Sequence, residues 1–216
     1  MGRGKQRKVW LTEVQTTKLL EVTKSESPRD WLIEELCRHG LRIGEVLGMD
    51  QPRTVVKSKK HPEGKVYGPY SLPGIKKGDL RDNGIWLTGK GYRRGKTPGS
   101  EDPPDLYPLP AWLAKELNQF SAQSYGGKGQ NLFDVTDGHF ERLIKRYARI
   151  AEIPDWQDVS PHRLRAFFAT DLDERGKTGF TIRNMMRHKK SATTDLYIGP
   201  GTPLGKAKIM ESLTPA

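Results

Sequence analysis

The segment Ser160-Pro161-His162-Arg163-Leu164-Arg165-Ala166-Phe167-Phe168-Ala169-Thr170-Asp171-Leu172 opens as a helix opens. Proline's fixed φ suits the first helical position, where its missing N–H has no partner to lose. Leu164, Phe168 and Leu172 then recur at every fourth residue, one apolar stripe, and Gly176 is placed to close the helix. That period also sets His162 and Arg165 three residues apart, on one helical face.

Upstream, Ser27-Pro28-Arg29-Asp30 has the same form: a serine cap, proline at the first helical position and an acid at the third. The apolar run behind it ends at His39-Gly40, and a short helix from Leu41-Arg42 carries Glu45, Val46 and Leu47. From about 52 to 110 the pattern changes. Short β-like pieces (Thr54-Val55-Val56, Lys65-Val66-Tyr67, Ile85-Trp86-Leu87-Thr88 and Leu106-Tyr107-Pro108-Leu109) alternate with Gly, Pro and Lys, which predicts a small antiparallel sheet with long loops. Pro69 to Gly78 and Gly95 to Pro104 read as irregular. Helical spacing resumes over Trp112 to Ala122 and around Phe140, Ile144, Tyr147 and Ala151. Two short helices are predicted near Ile182 to Arg187 and Ala192 to Ile198. The fold class is therefore α+β, mainly α.

At 216 residues the chain suits one ordinary domain with short extensions. Its net charge of +11 favours polyanions, since neutralised phosphates release condensed counterions. Opposite the apolar face of the Phe140 helix lie Arg142, Lys145, Arg146 and Arg149, a basic stripe that is either a solvated face or a contact for a DNA backbone. Arg93 and Arg94 are further candidates for such contact. No run is long enough to span a membrane, and Met1 to Lys8 has charge without an apolar stretch behind it, so a cytoplasmic, DNA-associated protein is expected. The single cysteine, Cys37, rules out an internal disulfide and reads as a buried thiol.

Several chemistries fail on spacing. A phosphate loop ending at Gly95-Lys96-Thr97 would need glycine at position 90, which is Lys90, and Pro98-Gly99 forbids the helix that should follow. There is no Gly-x-Ser-x-Gly elbow and no zinc-ligand spacing.

What remains is an ordered set of polar residues. Gly40-Leu41-Arg42-Ile43-Gly44-Glu45 carries an arginine with an acid at i+3, and Thr88-Gly89-Lys90-Gly91 puts a lysine at a strand end. Then come His162-Arg163-Leu164-Arg165, Arg187-His188 and, nine residues on, Tyr197. In isolation each of these side chains is ordinary. In this order they resemble the boxes of the tyrosine recombinase (phage integrase) family, from Leu11-Thr12-Glu13-Val14 to Ala192-Thr193-Thr194-Asp195-Leu196-Tyr197. Departures from the usual pattern are Ala166 where a basic residue is common, Arg187 where glycine precedes the histidine, and a long stretch from Pro52 to Pro110.

The resemblance implies a basic extension at 1–9, a catalytic domain over 10–199 and a tail at 200–216; a further departure is that the customary N-terminal DNA-clamping domain is expected to be absent. It implies a site-specific recombinase or integrase working on double-stranded DNA through a 3′-phosphotyrosyl intermediate, with no cofactor, no metal and no ATP. A homotetramer on synapsed DNA is expected, and a monomer in solution is allowed. Arg42 and Arg165 would grip the two non-bridging oxygens, and His188 would donate a third bond. Tyr197 would be the nucleophile, His162 its base, Lys90 the acid for the departing 5′ oxygen, and Glu45 a support for Arg42 or His162. Two alternatives stay open: a type IB topoisomerase-like enzyme, and an inactive DNA-binding accessory protein.

Overall fold

The computed structural model describes residues 11–51, 54–58, 61–67, 70–87, 105–188 and 194. The chain divides into two compact units.

The first unit draws on Met1–Glu26, Glu34–Leu41 and Ile144–Ala216. Its opening helix α1 (Glu13–Glu26) is started by a capping box: the Thr12 hydroxyl accepts from the Gln15 amide at 3.2 Å, and the Gln15 side chain accepts from the Thr12 amide at 2.9 Å. The helix α2 (Pro28–Arg38) begins in the second unit and ends in the first; its predicted Ser27-Pro28 start is present, and the Asp30 amide donates to the Ser27 hydroxyl at 3.3 Å. That helix ends as the His39-Gly40 pair leads one to expect. Gly40 has φ 94°, its amide reaches the Cys37 carbonyl and the Leu41 amide reaches the Leu36 carbonyl, so two orphan carbonyls are satisfied at once. The helix α6 (Pro161–Glu174) closes in the same way at Gly176, φ 70°, with the Lys177 amide on the Leu172 carbonyl. It packs on α7 (Gly179–Met185) through buried Ala169, Ile182 and Met186, with Phe168 and Leu172 half-buried beside them. Cys37 is fully buried, as expected.

The second unit takes in Ser27–Ile33 and Arg42–Leu143. It holds α3 (Ile43–Leu47) and α4 (Ala111–Gln123), and its buried apolar side chains include Val46, Ile75, Ile85, Leu113, Leu117 and Phe133. The expected small antiparallel sheet is present, and two further strand pairs accompany it. Among the described residues there are three antiparallel sheets: β1 (Met49–Gln51) with β4 (Tyr70–Leu72), β2 (Thr54–Ser58) with β3 (His61–Tyr67), and the three-stranded β5-β6-β7 (Leu80–Arg81, Gly84–Leu87, Asp105–Pro108). Pro69 to Gly78 is accordingly less irregular than its sequence suggests, since it contains β4 and the first residues of a 3-10 turn at Lys77–Asp79. The four strand segments read from the sequence fall on β2, β3, β6 and β7, and α4 lies against β5 and β6.

The helix α5 (Asp137–Ile150) begins in the second unit and ends in the first. Phe140, Ile144, Tyr147 and Ala148 are buried along it, while Arg142, Arg146 and Arg149 are exposed and Lys145 is half-buried. No helix among the described residues is long and apolar enough to cross a membrane.

Candidate active site

In the first unit, Arg165 on α6 is tied to the end of α7, the turn that leads to His188. Arg165 is only 2% exposed, which a guanidinium tolerates only when its donors are matched. Its Nη1 donates to the Gly40 carbonyl and its Nη2 to the Met186 carbonyl. Two helix ends that are far apart in sequence are thereby tied to one side chain on α6.

The turn after α7 explains how His188 is presented. The Arg187 amide bonds the Asn184 carbonyl at 2.9 Å and the His188 amide bonds the Arg183 carbonyl at 3.0 Å, the same closure seen at Gly40 and Gly176. The residue at the left-handed position is Arg187, φ 50°. This gives a physical reason for the glycine usual before that histidine: the backbone there needs a positive φ, which glycine adopts without a Cβ penalty. His188 Nδ1 lies 2.9 Å from the Thr194 hydroxyl, and Thr194 is 2% exposed.

His162 shares α6 with Arg165 but not its surroundings, since it is exposed where Arg165 is buried. Residues three apart on a helix are offset by about 60° around the axis. At the first turn that offset is enough to bring an imidazole out to solvent.

Arg42 belongs to the second unit. It caps α3, its amide donating to Glu45 Oε2 at 2.9 Å and its Nη1 to Glu45 Oε1 at 2.8 Å, while the Glu45 amide returns to the Arg42 carbonyl at 2.8 Å. The carboxylate is buried, with its side chain 1% exposed, and the guanidinium keeps 23%. Glu45 therefore holds Arg42, one of the two partners expected for it.

In the basic stripe, Arg146 pairs with Glu26 at 3.4 Å and Arg149 lies over the Trp156 ring at 5.8 Å. Exposed contacts of this kind are worth about 0–1 kcal/mol and give way readily to a phosphate. Lys90, Arg93, Arg94, Tyr197 and the predicted Ala192 to Ile198 helix, Thr194 apart, lie outside the described residues. Among those described, no group of three or more His, Cys, Asp or Glu side chains is placed to hold a metal ion.

Two residues of this corner had no role assigned from sequence. Thr194 was visible only as part of the segment leading to Tyr197. The other is His39, whose Nδ1 lies 2.8 Å from the Glu35 carbonyl and whose ring faces Phe168 at 6.5 Å. Burial pulls the His39 imidazole below the ordinary histidine value, against the opposing pull of the Glu35 hydrogen bond and charge.

No family model matches the chain. It is 23% identical over 212 residues to the tyrosine recombinase XerD of Pseudomonas aeruginosa, covering 93% of this chain and 59% of that protein. It is 27% identical over 189 residues to the tyrosine recombinase XerA of Pyrococcus furiosus, covering 87% and 56%. The chain thus spans a little over half the length of these curated relatives. Among solved structures, a crystal structure of XerA recombinase matches with a TM-score of 0.63 at 20% identity, over 96% of this chain and 66% of that one. XerH site-specific recombinase bound to a palindromic difH substrate matches at 0.64 and 18%, over 94% and 52%. The catalytic domain of bacteriophage HP1 integrase matches at 0.55 and 16%, over 95% and 96%. At these identities the structural likeness speaks to the fold, which is that of the tyrosine recombinase catalytic domain.

Proposed function

We propose that this chain, a relative of the tyrosine recombinases with the fold of their catalytic domain, cuts and rejoins double-stranded DNA through a covalent bond to Tyr197. The observation that carries the proposal is the tie between Arg165 and the Met186 carbonyl, two residues before His188. It ties the Arg165 guanidinium, through a backbone carbonyl, to the turn that leads to His188.

The chemistry follows from the charge of the substrate. A phosphodiester is anionic, and attack on phosphorus concentrates negative charge on its two non-bridging oxygens. The resemblance gives neutralisation of that charge to the guanidiniums of Arg42 and Arg165, the latter also bonded to the Gly40 and Met186 carbonyls. His188 adds a further donor. Losing one such preorganised donor typically costs roughly 2.7–4 kcal/mol of transition-state stabilisation. The Tyr197 oxygen forms the new bond to phosphorus as the bond to the 5′ oxygen breaks. Its proton passes to His162, and the departing oxygen takes one from Lys90. With a reference pKa of about 10, the phenol needs such a base. Exchange of one phosphodiester for another conserves the bond, so no nucleotide hydrolysis is required. Glu45 keeps Arg42 in place.

The curated relatives bear the names of recombinases, and solved neighbours include DNA complexes. Both facts favour DNA as partner and strand exchange as outcome; a homotetramer on synapsed DNA is what the resemblance implies. The test is a nicked suicide substrate incubated with the purified chain. A covalent protein–DNA adduct should form, and Tyr197→Phe should abolish it while DNA binding persists. An undiminished adduct in that variant would remove Tyr197 as nucleophile.

A further inference from the structure

We infer that Thr194 is a positioning residue for His188: its hydroxyl donates to Nδ1 and holds the neutral imidazole as the tautomer whose Nε2 carries the proton. The inference rests on the role given to His188 above. A neutral imidazole has one donor and one acceptor nitrogen, and the partner of one nitrogen fixes what the other presents. A phosphate oxygen only accepts. Whichever His188 nitrogen meets it must therefore bear a proton, and in the neutral ring the other must then accept.

His188 Nδ1 lies 2.9 Å from the Thr194 Oγ1. A threonine hydroxyl can turn its proton toward a lone pair, so it can supply the donor that Nδ1 requires. The reverse arrangement, Nδ1–H to Oγ1, would leave an Nε2 lone pair facing an anionic oxygen, a repulsive contact. Two features make the hydroxyl an effective clamp. Thr194 is 2% exposed, so water competes poorly for its proton. The His188 backbone is fixed independently by its amide bond to the Arg183 carbonyl. The ring is thus held from both ends, and the donor is available without protonation of the imidazole.

The experiment uses the full chain labelled with ¹⁵N-histidine, and long-range ¹H–¹⁵N spectra near neutral pH. The His188 signals are identified by their loss in His188→Gln. The expected result is an Nε2–H tautomer in the wild type, loss of that preference in the near-isosteric Thr194→Val, and its retention in Thr194→Ser. Adduct formation on the suicide substrate should fall about tenfold in Thr194→Val, the scale of one hydrogen bond, and recover in Thr194→Ser. An Nδ1–H tautomer in the wild type, or a Val variant with unchanged spectrum and rate, overturns the inference. A wild type with the Nε2–H tautomer but no adduct sinks the strand-transfer reading alone, because the spectra need no DNA.

Discussion

The Gly40 carbonyl accepts a hydrogen bond from Arg165, a residue 125 positions away, at the very turn that ends α2. A side chain expected to serve chemistry is thus also a structural member of the first unit. Arg165→Ala should strand the Gly40 and Met186 carbonyls, at about 1–3 kcal/mol each. Urea denaturation measures this directly, and a midpoint equal to the wild type's would show that these bonds contribute nothing to stability. Activity lost in that variant must therefore be judged against its folding.

Arg187 offers the opposite case. Its φ of 50° lies in a region that costs an L-residue roughly 1–2 kcal/mol, from which the extra freedom of glycine in the unfolded chain takes back about 0.4–1 kcal/mol. Arg187→Gly should stabilise the protein by up to about 1.6 kcal/mol. A lower melting temperature in that variant would mean that the arginine side chain contributes more than the backbone loses.

The acid sensitivity of the fold should pass through His39. Its folded pKa is depressed, chiefly by burial, so its contribution is complete above the ordinary histidine value of 6.5 and is lost as pH falls through the folded pKa. The charges around it are Glu35 and Arg38 on α2 and Asp171 on α6. Denaturation midpoints taken downward from about pH 7.5 should fall below about 6.5, near the unfolded-chain value, and His39→Gln should flatten the decline. Parallel curves for the two proteins would assign the sensitivity elsewhere.

The stripe on α5 is tested by salt. Each phosphate neutralised contributes about −0.9 to the slope of log K against log salt. If Lys145 and Arg149 each meet one, the double Gln variant should bind DNA with a slope smaller in magnitude by roughly 2. A slope unchanged within error would leave the stripe as a solvated face, with Arg149 occupied by Trp156.

What could be read in advance was what the local sequence dictates. Ser27-Pro28, Ser160-Pro161, Gly40 and Gly176 each specify a helix boundary within a few residues, and each boundary lies where those residues put it. The strands β1, β4 and β5 escaped notice because two or three residues carry no period. Met49 pairs with Leu72, and nothing near Met49 announces that partner. The end of α7 was placed within two residues, at Arg187 against Met185, although its left-handed residue is an arginine and not a glycine. Thr194 was missed for a different reason: a hydroxyl's usefulness depends on which ring nitrogen lies within reach, and sequence spacing alone does not fix that.

The backbone closures at Gly40 and Arg187 each deliver the chain, within two residues, to a side chain given a part in the reaction, Arg42 and His188 respectively. Such a closure is written in amide-to-carbonyl bonds and leaves side-chain identity almost unconstrained. A lineage can therefore rewrite most of its surface and much of its interior while the reactive groups leave their helices along the same directions. Substitutions of the side chains flanking these two closures should therefore leave the course of the backbone through them unaltered.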